Sequence, residues 1–143
     1  MDMKAKLQTL WIFATLNYLY CDVVSLMDHD LLRQYLTGKV GGLQVTQGFL
    51  LGTGILVEIF IAMVLLSRVL TYRANRWANI TAGTVMTVVQ CATLLFGSLT
   101  YYYVFFSAIE IASTALIVWF AWNWREPAVQ TERVDLELSA SRR

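Results

Sequence analysis

Five polar side chains lie inside long apolar stretches of this chain and are its candidates for chemistry: Glu58, Glu110, Asn17, Gln90 and Asp22. A carboxyl group in hydrocarbon is a strong site for a proton or a cation, because an isolated charge at the bilayer centre costs about 2.5–3.5 kcal/mol on insertion scales. We therefore predict that Glu58 and Glu110 bind a proton or a ligand, and that Asn17 and Gln90 orient them. Asp22 either lines an outer opening or faces water near a helix end.

The same groups also have a purely structural interpretation. Neutral Glu, Gln, Asn, Ser and Thr side chains can hydrogen-bond helices to one another, although such bonds contribute only about 0.6 kcal/mol each in membranes. No Lys or Arg lies at the depth of Glu58 or Glu110. We therefore expect at least one of these two carboxyls to be protonated at neutral pH, or to share a proton through Asn17 or Gln90. Two buried acids are a costly form of cross-link, which favours a binding site.

Other reactive combinations are not supported by the sequence. The only histidine, His29, lies in a polar connection, so it supplies neither a catalytic base for a membrane nucleophile nor the Glu-x-x-His pairs of a di-metal bundle. Cys21 and Cys91 lie in apolar runs without a C-x-x-C motif, and we interpret each as a small buried hydrophobic residue. We predict no catalytic residue, metal, cofactor or nucleic acid partner; a lipid- or quinone-directed enzyme is a minor alternative.

Four apolar segments must hold the candidate residues: 7–27, 43–67, 77–97 and 101–122. Each has about the 20 residues that a helix needs to cross hydrocarbon, and the chain is 57% apolar and only 15% charged. Helices are expected because lipid offers no partner for an unpaired backbone N–H or C=O group. The sequence predicts an all-α membrane protein: a four-transmembrane-helix bundle within residues 1–126, followed by a polar cytoplasmic tail over residues 127–143.

Small and polar residues repeat at helical spacing along the later spans, and small residues let helices approach closely. On the second span, Gly54 and Ala62 lie one turn to either side of Glu58. The third span carries Gly83, Thr87, Gln90, Thr93 and Gly97, and the fourth carries Ser107, Glu110, Ser113 and Thr114. We therefore expect the faces that carry Glu58 and Glu110 to point inward, toward each other.

The connections between spans contain helix signals of their own. Asp28 or Asp30 is expected to cap a short helix between the first two spans, and Gly38 to end it. The leucines and the tyrosine of this helix form one apolar face that suits the membrane surface. Between the second and third spans, Asn75 is the expected N-cap of the third helix.

Charge predicts the orientation. Nine of the 11 Lys and Arg residues lie on the side that holds both termini and the loop after the second span, and only Arg33 and Lys39 lie on the other. By the positive-inside rule, both termini are expected in the cytoplasm. The bias also disfavours a dual-topology drug exporter, which needs a balanced distribution. Tryptophans near the inner span ends agree with an interfacial belt: Trp11, Trp77, Trp119, Trp122 and Trp124.

Three stretches carry a resemblance to a known group: NYLYCD at 17–22, VEIFIAMVLLSRVLTYRANRWANI at 57–80 and YYYVFFSAIEIASTALIVWFAWNW at 101–124. Together they resemble an uncharacterised family of small bacterial four-span membrane proteins, known as a domain of unknown function. The resemblance extends over nearly all of residues 7–124. It implies a bacterial or archaeal integral membrane protein and no particular activity. We expect the chain to lie in the inner (plasma) membrane. Phe60 departs from the family pattern, which often has proline after the E-I pair.

Two functions follow from these observations. The first is a proton-linked or lipophilic-ligand-binding or transport protein that uses Glu58 and Glu110, with a small lipophilic or cationic ligand as its partner. The second is a non-catalytic accessory or assembly protein that packs on another protein, or on a second copy, through small-residue helix faces. A faint internal repeat aligns V-E-I at 57–59 with I-E-I at 109–111, which would make the two acids equivalent.

Overall fold

The computed structural model describes residues 2–96 and 100–125, which form helices, one small hairpin and the short connections between them. The helices are α1 (Met3–Met27), α2 (His29–Leu36), α3 (Gln47–Val69), α4 (Tyr72–Phe96) and α5 (Tyr101–Asn123). Strands β1 (Lys39–Val40) and β2 (Leu43–Gln44) pair antiparallel. Among the described residues, four helices are long and apolar enough to cross a membrane: α1, α3, α4 and α5. The predicted tail at 127–143 lies outside the described residues.

The long helices do not contribute equally to the bundle. α1 packs against both α3 and α5, α5 packs against α4, and the contact between α3 and α4 is much smaller. In an apolar 18-residue segment of α3 only 11% of the residues are buried, whereas 33% are buried in the corresponding segment of α5. α3 therefore lies at the edge of the bundle, and α5 lies at its centre.

The apolar core lies between these four helices. Trp11 of α1 meets Phe60 of α3 edge to face, with ring centroids 5.6 Å apart, and Tyr18 contacts the same ring at 5.0 Å. Met63 and Ile117 are also buried in this cluster. In a bilayer such contacts stabilise the fold by van der Waals packing, because lipid tails are as apolar as the core itself.

The corner between α3 and α4 corrects the predicted boundary of the third span. Only Leu70 and Thr71 separate the two helices, so α4 begins before the predicted start at residue 77. Asn75 is therefore not an N-cap: it is buried inside α4, and its Nδ2 donates to the Ser67 carbonyl at 2.6 Å. Lys4 Nζ donates to the Leu70 carbonyl, also at 2.6 Å. These two side chains satisfy carbonyl groups that the end of α3 leaves unpaired.

The predicted short helix is present as α2, with Asp28 as its N-cap. The Asp28 side chain accepts hydrogen bonds from the backbone N–H groups of Leu31 and Asp30, at 3.2 and 3.0 Å. The bond from Leu31 is the main cause that lowers the pKa of Asp28 from its ordinary value. The hairpin that follows was not predicted; its turn is formed by Gly41 and Gly42, whose φ angles of 56° and 84° suit a two-residue hairpin turn.

Candidate functional site

Glu110 lies at the centre of a buried polar face on α5. Only 2% of the residue is exposed. The predicted companions on this face, Ser107, Ser113 and Thr114, are all buried as well. The 3–4 spacing of small polar residues on this helix therefore correctly predicted which face packs inward.

Two other helices bring amides to this face. Asn17 of α1 donates from Nδ2 to Glu110 Oε1 and to the Phe106 carbonyl, each at 3.3 Å. Gln90 of α4 donates from Nε2 to Ser107 Oγ at 2.7 Å, one turn along α5 from Glu110. The structure thus brings together three of the five predicted residues, contributed by three different helices.

Two acceptor atoms in this cluster have no hydrogen-bond partner within the described part of the chain. They are Oε2 of Glu110 and Oε1 of Gln90, and both atoms are buried. An unpaired buried acceptor costs about 1–3 kcal/mol. Because both free positions accept, a hydroxyl or ammonium group can donate to them. A proton on the carboxyl instead removes its charge and makes one of its oxygens a donor.

Asp22 lies outside this cluster. It is exposed on α1, five residues or about 7.5 Å of helix rise after Asn17. It is therefore closer to the C-terminal end of α1 than the amide that contacts Glu110.

The structure does not bring Glu58 to this site. On α3 the buried residues are Phe60, Met63 and Ser67, whereas Glu58 is exposed. Two residues along a helix correspond to a rotation of about 200°, so Glu58 points away when Phe60 packs inward. The expectation that the faces of Glu58 and Glu110 meet is therefore wrong. Large apolar residues lie on both faces of α3, so the sequence carried no clear signal for its packing face.

A second buried polar network was missed by sequence reasoning. Trp11 Nε1 donates to Asn79 Oδ1 at 2.7 Å, and Ser67 Oγ donates to the same oxygen at 3.2 Å. Asn79 Nδ2 in turn donates to the Asn75 side-chain oxygen at 2.6 Å. Each of these four side chains has a partner, so this network joins α1, α3 and α4 as a structural link. The i, i+4 spacing of Asn75 and Asn79 was the available signal.

Trp11 and Cys91 also differ from expectation. Trp11 is fully buried, although it was assigned to an interfacial belt. Cys91 is exposed, whereas Cys21 is buried as predicted, and both thiols are free. Within residues 2–96 and 100–125, no three His, Cys, Asp or Glu side chains are grouped closely enough to hold a metal ion.

The chain matches a protein family, whereas no match was found among curated proteins or among solved structures. The match is to a family described as "Family of unknown function (DUF6326)", and it extends over residues 1–131. That range includes all of the polar cluster around Glu110 as well as Glu58 on α3. The chain therefore belongs to this family of unknown function.

Proposed function

We propose that this chain is a multi-pass protein of the bacterial inner membrane that binds a proton, or the donor group of a lipophilic ligand, at Glu110. The observation that carries the proposal is the unpaired, buried Oε2 atom of that carboxyl. Gln90 supplies a second unpaired acceptor, and Asn17 holds the other carboxyl oxygen in place.

The chemistry of the cluster limits what can bind there. The salt bridges among the described residues do not include Glu110, so a charged carboxylate would lie in a low-dielectric site without a cation. A proton or an ammonium group removes that cost, whereas an anion would add to it. The occupant is therefore a proton or a donor-bearing, neutral or cationic head group on an apolar body.

Access to the site is expected from the outer side of the membrane. The distribution of Lys and Arg favours cytoplasmic termini, which puts the C-terminal part of α1 and the helix α2 on the outer side. Asp22 is exposed on that part of α1, five residues after Asn17, the residue whose amide contacts Glu110. We propose that a proton or ammonium group enters past Asp22, which suits proton-linked binding or transport.

Infrared titration of the protein in lipid nanodiscs tests whether Glu110 binds a proton. In the wild type, one C=O stretch of a protonated carboxyl should come from Glu110 and should be lost when that carboxyl ionises. Glu110→Gln should lack this component, and the exposed control Asp30→Asn should retain it. Identical spectra for the wild type and Glu110→Gln would contradict proton binding at Glu110.

Thermal unfolding in the same nanodiscs tests whether the cluster binds the donor group of a lipophilic ligand, with three probes of equal chain length. Octylammonium carries a charge and N–H donors, octyltrimethylammonium carries only the charge, and octanoate is an anion. We expect octylammonium to raise the unfolding temperature of the wild type but not of Glu110→Gln. Equal stabilisation by all three probes would indicate that the cluster does not recognise the head group.

An assembly role is the second candidate. It is supported by the exposed face of α3, which carries an acid and glycines that no contact within the protomer requires.

A further inference from the structure

We propose that the exposed face of α3 docks against the same face of a second copy, in a parallel two-fold dimer in which the two Glu58 carboxyls pair. The proposal concerns a different acid and a different surface from the Glu110 cluster. It explains why an ionisable residue lies in the middle of an exposed, apolar helix.

Glu58 is the central residue of α3, with eleven residues of the helix on each side. Its neighbours on the exposed face are large and apolar: Leu51, Ile55, Ile61 and Leu65 are 66%, 57%, 49% and 64% exposed. No hydrogen bond or salt bridge joins Glu58 to another residue of the described ranges. In a bilayer this carboxyl would face hydrocarbon near mid-membrane, where ionisable groups pair with one another or face a polar space.

The glycines of α3 indicate that a helix can approach this face closely. A Cβ atom built on Gly54, one turn before Glu58, meets no atom within 4 Å, and the same holds for Gly52. A Cβ on Gly83 of α4, by contrast, would lie 2.7 Å from Val118 Cγ2. Packing inside the protomer therefore requires a glycine at position 83 but does not require one at position 54. Gly54, Glu58 and Ala62 have the four-residue spacing of small-residue helix contacts in membranes.

A second copy fits this face better than a partner of another kind. In a parallel two-fold dimer each residue meets its own equivalent at the same depth, and the strong bias of Lys and Arg inserts both copies the same way. A protonated carboxyl has one O–H donor and one acceptor oxygen, so two Glu58 side chains complement each other without any further charge. A partner with a buried Lys or Arg is the alternative occupant, and the test separates it.

Disulfide cross-linking of the full-length protein in liposomes tests the interface, in a Cys21→Ser, Cys91→Ser background. Ile61→Cys places a thiol on the proposed face, and Leu16→Cys places one on an exposed position of α1 as the matched control. We expect rapid dimer formation with Ile61→Cys and little with Leu16→Cys. Equal cross-linking at both positions would overturn the proposal, since it would indicate random collision.

Dilution of fluorescently labelled protein in lipid measures the role of the acid. Glu58→Leu and Gly54→Leu should each weaken the dimer by about tenfold, while Glu58→Gln, whose amide is also self-complementary, should weaken it less. Glu110→Gln should leave the dimer unchanged, which separates this proposal from the proposed function. A wild-type protein that stays monomeric in lipid, or a Glu58→Leu variant that dimerises like the wild type, would overturn the proposal and leave a different protein or lipid as the occupant.

Discussion

Glu58 and Glu110 occupy the same local sequence, V-E-I and I-E-I, yet the structure gives them opposite environments. Glu110 is buried on α5, and Glu58 is exposed on α3. Small residues flank both acids at one-turn spacing, so the acid-bearing faces alone do not explain the difference. Either the acid-bearing face or the opposite face of each helix can pack into the bundle. Which one does so depends on the side chains of both faces and on their partners.

The opposite faces of α3 and α5 differ sharply. Opposite Glu58, Phe60 packs on the rings of Trp11 and Tyr18. Opposite Glu110, α5 carries Ala108 and Ala112 together with Phe105 and Trp119, and the two rings remain exposed. A large side chain on the far face is therefore not enough to turn an acid outward. Phe60 finds aromatic partners on α1, whereas on α5 it is Glu110 that finds a partner there, the Asn17 amide.

The largest loss of stability is expected from a substitution at Gly83, where α4 packs closely against α5. Gly83→Leu forces a branched side chain against Val118 Cγ2 and the Thr114 carbonyl, which lie 2.7 and 3.3 Å from a built Cβ. We expect the free energy of unfolding in bicelles to fall by more than about 3 kcal/mol. Gly54→Leu, the matched glycine of α3, should leave the unfolding of the isolated protomer unchanged. Similar losses in both variants would break the distinction between a packed and a free helix face.

The second-largest loss of stability is expected from a substitution in the buried network of α1, α3 and α4 that is centred on Asn79. Asn79→Ala removes the acceptor of Trp11 Nε1 and Ser67 Oγ and the donor to Asn75. Because these groups are buried, we expect a loss of roughly 2–3 kcal/mol in unfolding free energy, with a change in the fluorescence of Trp11. Asn123→Ala is the control, since Asn123 bonds only to the Trp119 carbonyl of its own helix at an exposed site. An equal, small effect of both substitutions would mean that water or lipid groups replace the network.

Leucine at each acid should separate the two environments directly. Glu110→Leu removes the carboxyl that Asn17 contacts inside the bundle and leaves Asn17 only the Phe106 carbonyl, and we expect a loss of roughly 1–2 kcal/mol in unfolding free energy. Glu58→Leu puts an apolar side chain on an exposed apolar face, so the protomer should be as stable as the wild type or more so. Unfolding in bicelles, with the protein diluted to the monomer, measures both. The comparison fails if Glu58→Leu destabilises the protomer as much as Glu110→Leu.

A third acid extends the comparison to an exposed helix end and should have the smallest effect. Asp28→Ala removes the N-cap of α2, so the amides of Asp30 and Leu31 should exchange hydrogen faster, with little change in global unfolding. Folding lowers the pKa of Asp28, mainly through the Leu31 N–H. The stabilisation from the cap should therefore be complete above the ordinary aspartate pKa and be lost as the pH falls through the lowered pKa of folded Asp28. Asp30→Ala, whose carboxylate contacts only the exposed His29 ring, is the control.

Some of the site was predictable from local pattern. The spacing of Ser107, Glu110, Ser113 and Thr114 predicts which face of α5 packs inward. Small polar side chains on a membrane helix are more stable at a helix–helix contact than against lipid. The cap at Asp28 is equally local, since it needs only a carboxylate two and three residues before free N–H groups. The link of Trp11 to Asn79 was not predictable in this way, because it joins residues on helices that no short-range pattern pairs.

The chain's own residues determined that four apolar helices form, roughly where they lie, and that polar side chains interrupt them, because hydropathy and capping add up along a segment. The rotation of each helix about its axis was decided only by tertiary packing. Phe60 packs against Trp11 and leaves Glu58 outward, whereas Glu110 faces inward, where the Asn17 amide of α1 meets it. Helix rotation depends on which faces of several helices fit together, so it is a property of the assembled bundle.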